Sequence, residues 1–251
     1  MATQLAPEAQ SPLGRPGPIV ELALTLPIFV LYHVGVIFLD VRNATDWVTG
    51  PLLRFANGDR LAYVGLTLVL GGAFAVVLGL VGKGTTFRGT RFVQAIIEGA
   101  VLAIVMRLAG GFAVSKVFAG AAGALSGGMY TNVVMSLGAG FYEEIAFRVI
   151  LFGLGAKLWV KLFAGATMGV ISGERPAIGV KSILILTLWM LTCAVAFSGV
   201  HYVGALGDTF EARSFLYRAV LGIVLTLIYL TRGFATAVWA HAIYDVWVLV
   251  F

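Results

Sequence analysis

Residues 183–203 read ILILTLWMLTCAVAFSGVHYV, and this stretch decides the fold. It contains no Asp, Glu, Lys or Arg. It is also long enough to cross the hydrocarbon core of a bilayer, which takes about 20 mostly apolar residues. Lipid offers no hydrogen bonds to a polypeptide backbone, so a spanning segment has to satisfy its own. The stretch therefore predicts a transmembrane α-helix.

Other apolar runs of the same kind lie on both sides of it. They are residues 18–39, 61–81, 93–113, 131–154, 215–230 and 234–251. The last two runs are joined by the short connection 231–233, which predicts an antiparallel helical hairpin. We therefore predict an all-α fold, a polytopic membrane bundle of about seven transmembrane helices around a polar cavity within the membrane.

Composition agrees with a chain whose main solvent is lipid. Hydrophobic residues make up 60% of the sequence and charged residues 12%, and the mean hydropathy is +0.98. Soluble domains carry roughly 25% charged residues. The net charge is +5, but the basic residues lie mainly in short connections between apolar runs, as topology signals beside anionic lipid do. We expect a lipid bilayer and no nucleic acid as partner.

The sequence divides into three parts. Residues 1–17 are polar and predicted to be a disordered tail, residues 18–92 are predicted to hold two accessory transmembrane helices, and residues 93–251 are predicted to form the main membrane core. More Lys and Arg residues lie on the N-terminal side of the predicted spans than opposite, which predicts a cytoplasmic N-terminus. The Ala- and Gly-rich composition favours a bacterial inner membrane. The oligomeric state is left open.

Among the charged and histidine side chains within the apolar runs, six lie in the runs 131–154, 183–203 and 234–251. Such groups are costly inside a membrane and are therefore candidates for function. They are Glu143, Glu144, Arg148, His201, His241 and Asp245.

Helix geometry separates the two glutamates. Glu144 and Arg148 are four residues apart, with the acid first, which favours an ion pair on one helix face. Glu143 lies about 100° around an α-helix from Glu144 and has no partner within its own helix. An unpaired carboxylate in a poorly solvated site is a candidate general base.

The two later histidines supply the functions that a base lacks. Amide hydrolysis needs an oriented water and a stabilised tetrahedral intermediate, and His201 and His241 are the candidates for these roles. Asp245 is four residues from His241 and is expected to orient its ring, and Phe197 stands in the same relation to His201. His33, in the first run, has no acidic neighbour in sequence and is interpreted as structural.

The same residues form three motifs in order, EEIAFR at 143–148, FSGVH at 197–201 and HAIYD at 241–245. They resemble the CAAX protease and bacteriocin-processing family of membrane proteins, which includes the type II CAAX prenyl endopeptidases. That family is marked by Glu-Glu-x-x-x-Arg, Phe-x-x-x-His and His-x-x-x-Asn-or-Asp motifs. The resemblance covers about residues 93–251.

The resemblance implies a glutamate-dependent intramembrane endopeptidase. Glu143 would activate water together with His201, and His241 with Asp245 would form the oxyanion site. The supporting residues would be Glu144, Arg148 and Phe197. One departure matters: the prenyl endopeptidases typically have Asn at the position of Asp245, and an ionised carboxylate cannot donate a hydrogen bond to an oxyanion.

Several alternatives remain open. No cofactor is expected, but one set of side chains would also suit zinc or another divalent metal: Glu143, His201, His241 and Asp245. A second interpretation is that the chain is a non-enzymatic membrane scaffold or bacteriocin-immunity protein, in which the polar cluster serves only packing. A proton-relaying transporter would predict inverted repeats, and no convincing repeat is found. For the protease, the expected substrate is a membrane-anchored protein or peptide cut near its C-terminal end.

Overall fold

The computed structural model describes residues 17–39, 41–82, 88–117, 128–165, 179–204 and 207–251. The predicted disordered tail lies outside these ranges apart from Gly17. Every regular element within them is helical. The α-helices are α1 (Pro18–Gly35), α2 (Thr49–Phe55), α3 (Arg60–Val81), α4 (Thr90–Val117), α5 (Met129–Gly138), α6 (Gly155–Ala164), α7 (Val180–Val200), α8 (Ala212–Arg232) and α9 (Phe234–Val250); a 3-10 turn covers Val36–Phe38 and a π-helix covers Ala139–Leu154.

All seven predicted runs are helical, which confirms the all-α class. Five of the described helices are long and apolar enough to cross a membrane by length and composition: Pro18–Phe38, Arg60–Leu80, Thr90–Val117, Val180–Val200 and Ala212–Arg232. The helix α9 is apolar but shorter. The protein is therefore a helical integral membrane protein.

Two features of the helices are absent from the sequence-based prediction. The short helix α2 begins after Asp46, whose Oδ1 accepts hydrogen bonds from the backbone N–H groups of Val48 and Thr49, each at 2.9 Å. In addition, the fourth run does not end at residue 154, because α6 follows the π-helix directly and continues to Ala164.

The helix α9 occupies the centre of the bundle and contacts α1, α4, α5, α8 and the π-helix. Glycines allow its closest approaches. A Cβ atom on Gly140 would lie 2.8 Å from the backbone nitrogen of Ala242, and one on Gly99 would lie 3.0 Å from that of Ala240. The predicted hairpin is present, since Gly233, with φ 99°, alone separates α8 from α9.

The helix α1 connects the peripheral α3 to this centre, because it packs against α3 on one side and against α5 and α9 on another. Its Glu21 also accepts a 2.6 Å hydrogen bond from the backbone N–H of Ala235, in the first turn of α9. The positive end of a helix dipole favours such a carboxylate. The proposed boundary between residues 92 and 93 stays a prediction.

Candidate active site

The π-helix sets the direction of the two adjacent glutamates. A π-helix closes its hydrogen bonds from i to i+5, so each turn takes more residues than the 3.6 of an α-helix. Neighbouring residues are consequently separated by less than the 100° that α-helical geometry predicts. Both glutamates face one histidine on α9: Glu144 Oε1 lies 2.7 Å from His241 Nδ1, and Glu143 Oε2 lies 4.0 Å from His241 Nε2.

Glu144 is shared between two partners. The ion pair expected with Arg148 is present, with 3.1 Å between Oε1 and the arginine Nη1, and both side chains are buried. The same oxygen accepts the contact from His241 Nδ1. The sequence assigns Glu144 to Arg148 alone and gives the orientation of His241 to Asp245. In the structure the carboxylate closest to His241 is that of Glu144.

Phe197 is the apolar centre of the cluster. Its ring is buried and lies edge-on to both imidazoles, with centroids 5.3 Å from His201 and 6.0 Å from His241. The guanidinium carbon of Arg148 lies 4.3 Å from the centroid of the same ring. A buried cation over an aromatic face is a favourable electrostatic contact. Phe197 thus packs against Arg148 and against both imidazole rings.

His201 directly follows α7 and lies at the edge of the cluster. Its Nδ1 lies 2.8 Å from the backbone oxygen of Phe197, one helical turn earlier. This contact leaves Nε2 facing Glu143, at 3.9 Å from Oε2. The side chain of His201 is 26% exposed, whereas that of His241 is 6% exposed, so the cluster is more open on the His201 side.

Asp245 lies one turn beyond His241, with its Oδ2 at 3.5 Å from Nε2. The structure therefore brings together the four residues of the predicted catalytic set. Among the residues that the structure describes, no group of three or more His, Cys, Asp or Glu side chains has the spacing of a metal site.

Asn43 is a member of the cluster that sequence reasoning missed. It belongs to the segment between α1 and α2, is 8% exposed and donates a 3.0 Å hydrogen bond from Nδ2 to Glu143 Oε1. It is 100 residues away from its partner in sequence. The segment DVRNATDW at 40–47 has the composition of an ordinary polar connection. No sequence signal distinguishes this asparagine.

A second buried polar network adjoins the first. His33 Nδ1 lies 2.8 Å from the hydroxyl of Tyr63 and Nε2 lies 2.6 Å from that of Tyr142, the residue before Glu143. His33 is 0% exposed. The structural interpretation of His33 agrees with these contacts, because a buried imidazole needs a partner at each nitrogen. The network ties α1 and α3 to the π-helix beside the glutamates.

Comparison with known protein families matches residues 125–247 to the family model described as Type II CAAX prenyl endopeptidase Rce1-like. The matched segment contains all three motifs and is narrower than the predicted resemblance over residues 93–251. It excludes α1, α3 and Asn43. No curated protein and no solved structure matches the chain.

Proposed function

We propose, from the match of residues 125–247 to the type II CAAX prenyl endopeptidase family model, that this chain is an intramembrane endopeptidase in which Glu143 activates the attacking water. One observation carries the proposal. Glu143 Oε2 lies 3.9 Å from Nε2 of His201 and 4.0 Å from Nε2 of His241. These separations are too long for direct hydrogen bonds and suit a bridging water.

The attack then uses Glu143 and His201. The Nε2 atom of His201 orients the water, and the carboxylate of Glu143 takes one of its protons as the oxygen adds to the scissile carbonyl. Glu143 next gives this proton to the departing amine, so that the base is regenerated and the peptide bond is broken. General acid–base catalysis of this kind contributes about 10²–10⁴-fold to the rate.

His241 is placed to stabilise the tetrahedral intermediate. Glu144 holds the Nδ1–H group, which directs Nε2 into the cluster. In its protonated form the ring donates from Nε2 to the oxyanion, and Asp245, 3.5 Å from that nitrogen, balances the positive charge. Asp245 therefore acts through His241, and no hydrogen bond from its carboxylate is needed.

The proposed mechanism uses no metal ion. It predicts that the rate of peptide cleavage stays unchanged when the protein is dialysed against a membrane-permeant metal chelator. Restoration of a lost rate by zinc alone would favour the alternative in which Glu143, His201, His241 and Asp245 bind a divalent metal. The measurement is cleavage by purified protein in liposomes, with total metal content determined in the same samples.

We propose a membrane-anchored protein or peptide as substrate, cut near its C-terminal end. The cluster lies toward the end of the bundle where α1 and α7 finish, since Asn43 follows α1 and His201 follows α7. If α1 begins in the cytoplasm of a bacterial cell, as we propose from the Lys and Arg distribution, this end faces the opposite side of the inner membrane. The substrate tail would then be presented from outside the cytoplasm.

The test is a comparison of protein termini in native-host membranes from wild type and Glu143→Gln. The proposal predicts that specific processed C-termini, or the matching new termini, disappear in the variant at equal membrane abundance. An unchanged set of termini, together with a phenotype on deletion of the gene, would contradict the proposal. That result would support a non-enzymatic scaffold or immunity protein, which should tolerate glutamine at position 143.

A further inference from the structure

We propose that Asn43 is a positioning residue for catalysis, which holds the Glu143 carboxylate so that one of its oxygens is directed at the water. This inference rests on the proposed function of Glu143. It assigns a role to a segment outside the family match, since Asn43 precedes residues 125–247. It also gives the N-terminal helices a part in the reaction.

The orientation of the Asn43 amide is set by its other neighbours. Its Oδ1 accepts a 2.9 Å hydrogen bond from the backbone N–H of Thr45 and a second bond from the Thr45 hydroxyl. Two donors on one side identify the oxygen of the amide. The NH₂ group is therefore the end that faces Glu143, at 3.0 Å from Oε1.

The segment that carries Asn43 is anchored to the helix before it. The backbone N–H of Asn43 donates to the hydroxyl of Tyr32, at 3.2 Å, and that hydroxyl donates to Asp46 Oδ2 at 2.7 Å. Tyr32 is fully buried in α1. Asp46 in turn accepts hydrogen bonds from the backbone N–H groups of Val48, just before α2, and Thr49, its first residue. Asn43 is thus held from both sides rather than placed by a free loop.

The two carboxylate oxygens of Glu143 therefore have different contacts. Oε1 accepts from Asn43, and Oε2 faces Nε2 of both His201 and His241. Without the amide, the carboxylate can rotate and present either oxygen to the water.

The experiment uses the full chain in liposomes and a fluorescence-quenched peptide that copies a terminus lost in the Glu143→Gln membranes. The variants are Asn43→Ala, Asn43→Asp and the control Asn57→Asp. Asn57 is exposed in the connection between α2 and α3 and has φ 52°, a conformation that aspartate tolerates, so the control makes the same amide-to-acid change away from the cluster. Turnover is divided by the folded fraction of each preparation.

Asn43→Ala is expected to lower kcat by about 10- to 100-fold with KM unchanged, because it deletes a hydrogen bond to a charged group. Asn43→Asp, which keeps the size of the side chain, is expected to lose at least as much, since two carboxylates then repel. Asn57→Asp should behave as wild type.

Wild-type kcat in Asn43→Ala, beside an inactive Glu143→Gln, would overturn the role of Asn43 and leave the proposed function standing. A rise in KM at unchanged kcat would also overturn it, because it would indicate a substrate contact. Activity in Glu143→Gln, or no terminus lost in that strain, would overturn the proposed function and the inference with it.

Discussion

Replacing Glu144 with glutamine is expected to reduce stability, whereas the same replacement at Glu143 is expected to reduce turnover. The two residues are adjacent in one π-helix, so they share backbone context. Their partners differ. Glu144 pairs with the buried Arg148 and with His241, while Glu143 accepts from the neutral amide of Asn43.

The magnitude follows from burial. Glu144 and Arg148 are 0% and 1% exposed, and removal of one partner from a buried ion pair costs about 3–5 kcal/mol, because the other charge stays buried. For a chain of this size the unfolding temperature should fall by roughly 6–20 °C. Glutamine at position 143 can still accept from Asn43, and its cost should be about 1 kcal/mol or less.

The assay is unfolding in detergent micelles, followed by circular dichroism, for Glu144→Gln, Glu143→Gln and the double variant Glu144→Gln/Arg148→Met. The double variant removes both charges and should recover most of the lost stability, since apolar replacement of a whole buried pair is often neutral. Equal stability of the two single variants, or no recovery in the double variant, would refute the reasoning.

Two further substitutions test the packing that positions the cluster. Gly140→Ala places a Cβ atom 2.8 Å from the backbone nitrogen of Ala242, which should push the π-helix away from α9. We expect the free energy of unfolding to fall by about 1–3 kcal/mol and peptide turnover to decrease. Wild-type turnover would contradict this close approach. Tyr32→Phe removes the hydrogen bond to Asp46 and should lower the free energy of unfolding by about 1–3 kcal/mol. Residues 41–48 should then become more susceptible to limited proteolysis. An unchanged cleavage pattern would show that the segment is anchored by other contacts.

Much of the fold follows from the lengths of the apolar runs. Each run long enough to span predicts a helix, because lipid leaves a backbone no other way to satisfy its hydrogen bonds. The length of an apolar run does not predict α2, because this helix is too short to span and begins three residues after Asp46 within a polar connection. The π-helix is not predicted either, because apolar composition does not distinguish i+4 from i+5 hydrogen bonding.

The cluster is predictable only where its residues belong to one helix or to a motif. The spacing of Glu144 and Arg148 predicts their contact, and the three motifs name His201, His241 and Asp245. The contact of Glu144 with His241 depends on the wider turn of the π-helix, which the sequence does not indicate. The contact of Asn43 with Glu143 depends on the path of a connection that returns into the bundle. No local sequence pattern predicts such a path.

The central claim, that Glu143 activates water, is tested most directly by peptide cleavage with purified protein in liposomes. The substrate is the quenched peptide described above, and the comparison is wild type against Glu143→Gln at matched folded fraction. The account predicts a fall in kcat of about 10²–10⁴-fold, the usual contribution of a general base, with little change in the unfolding temperature. A variant that folds normally and keeps most of the wild-type kcat would contradict it.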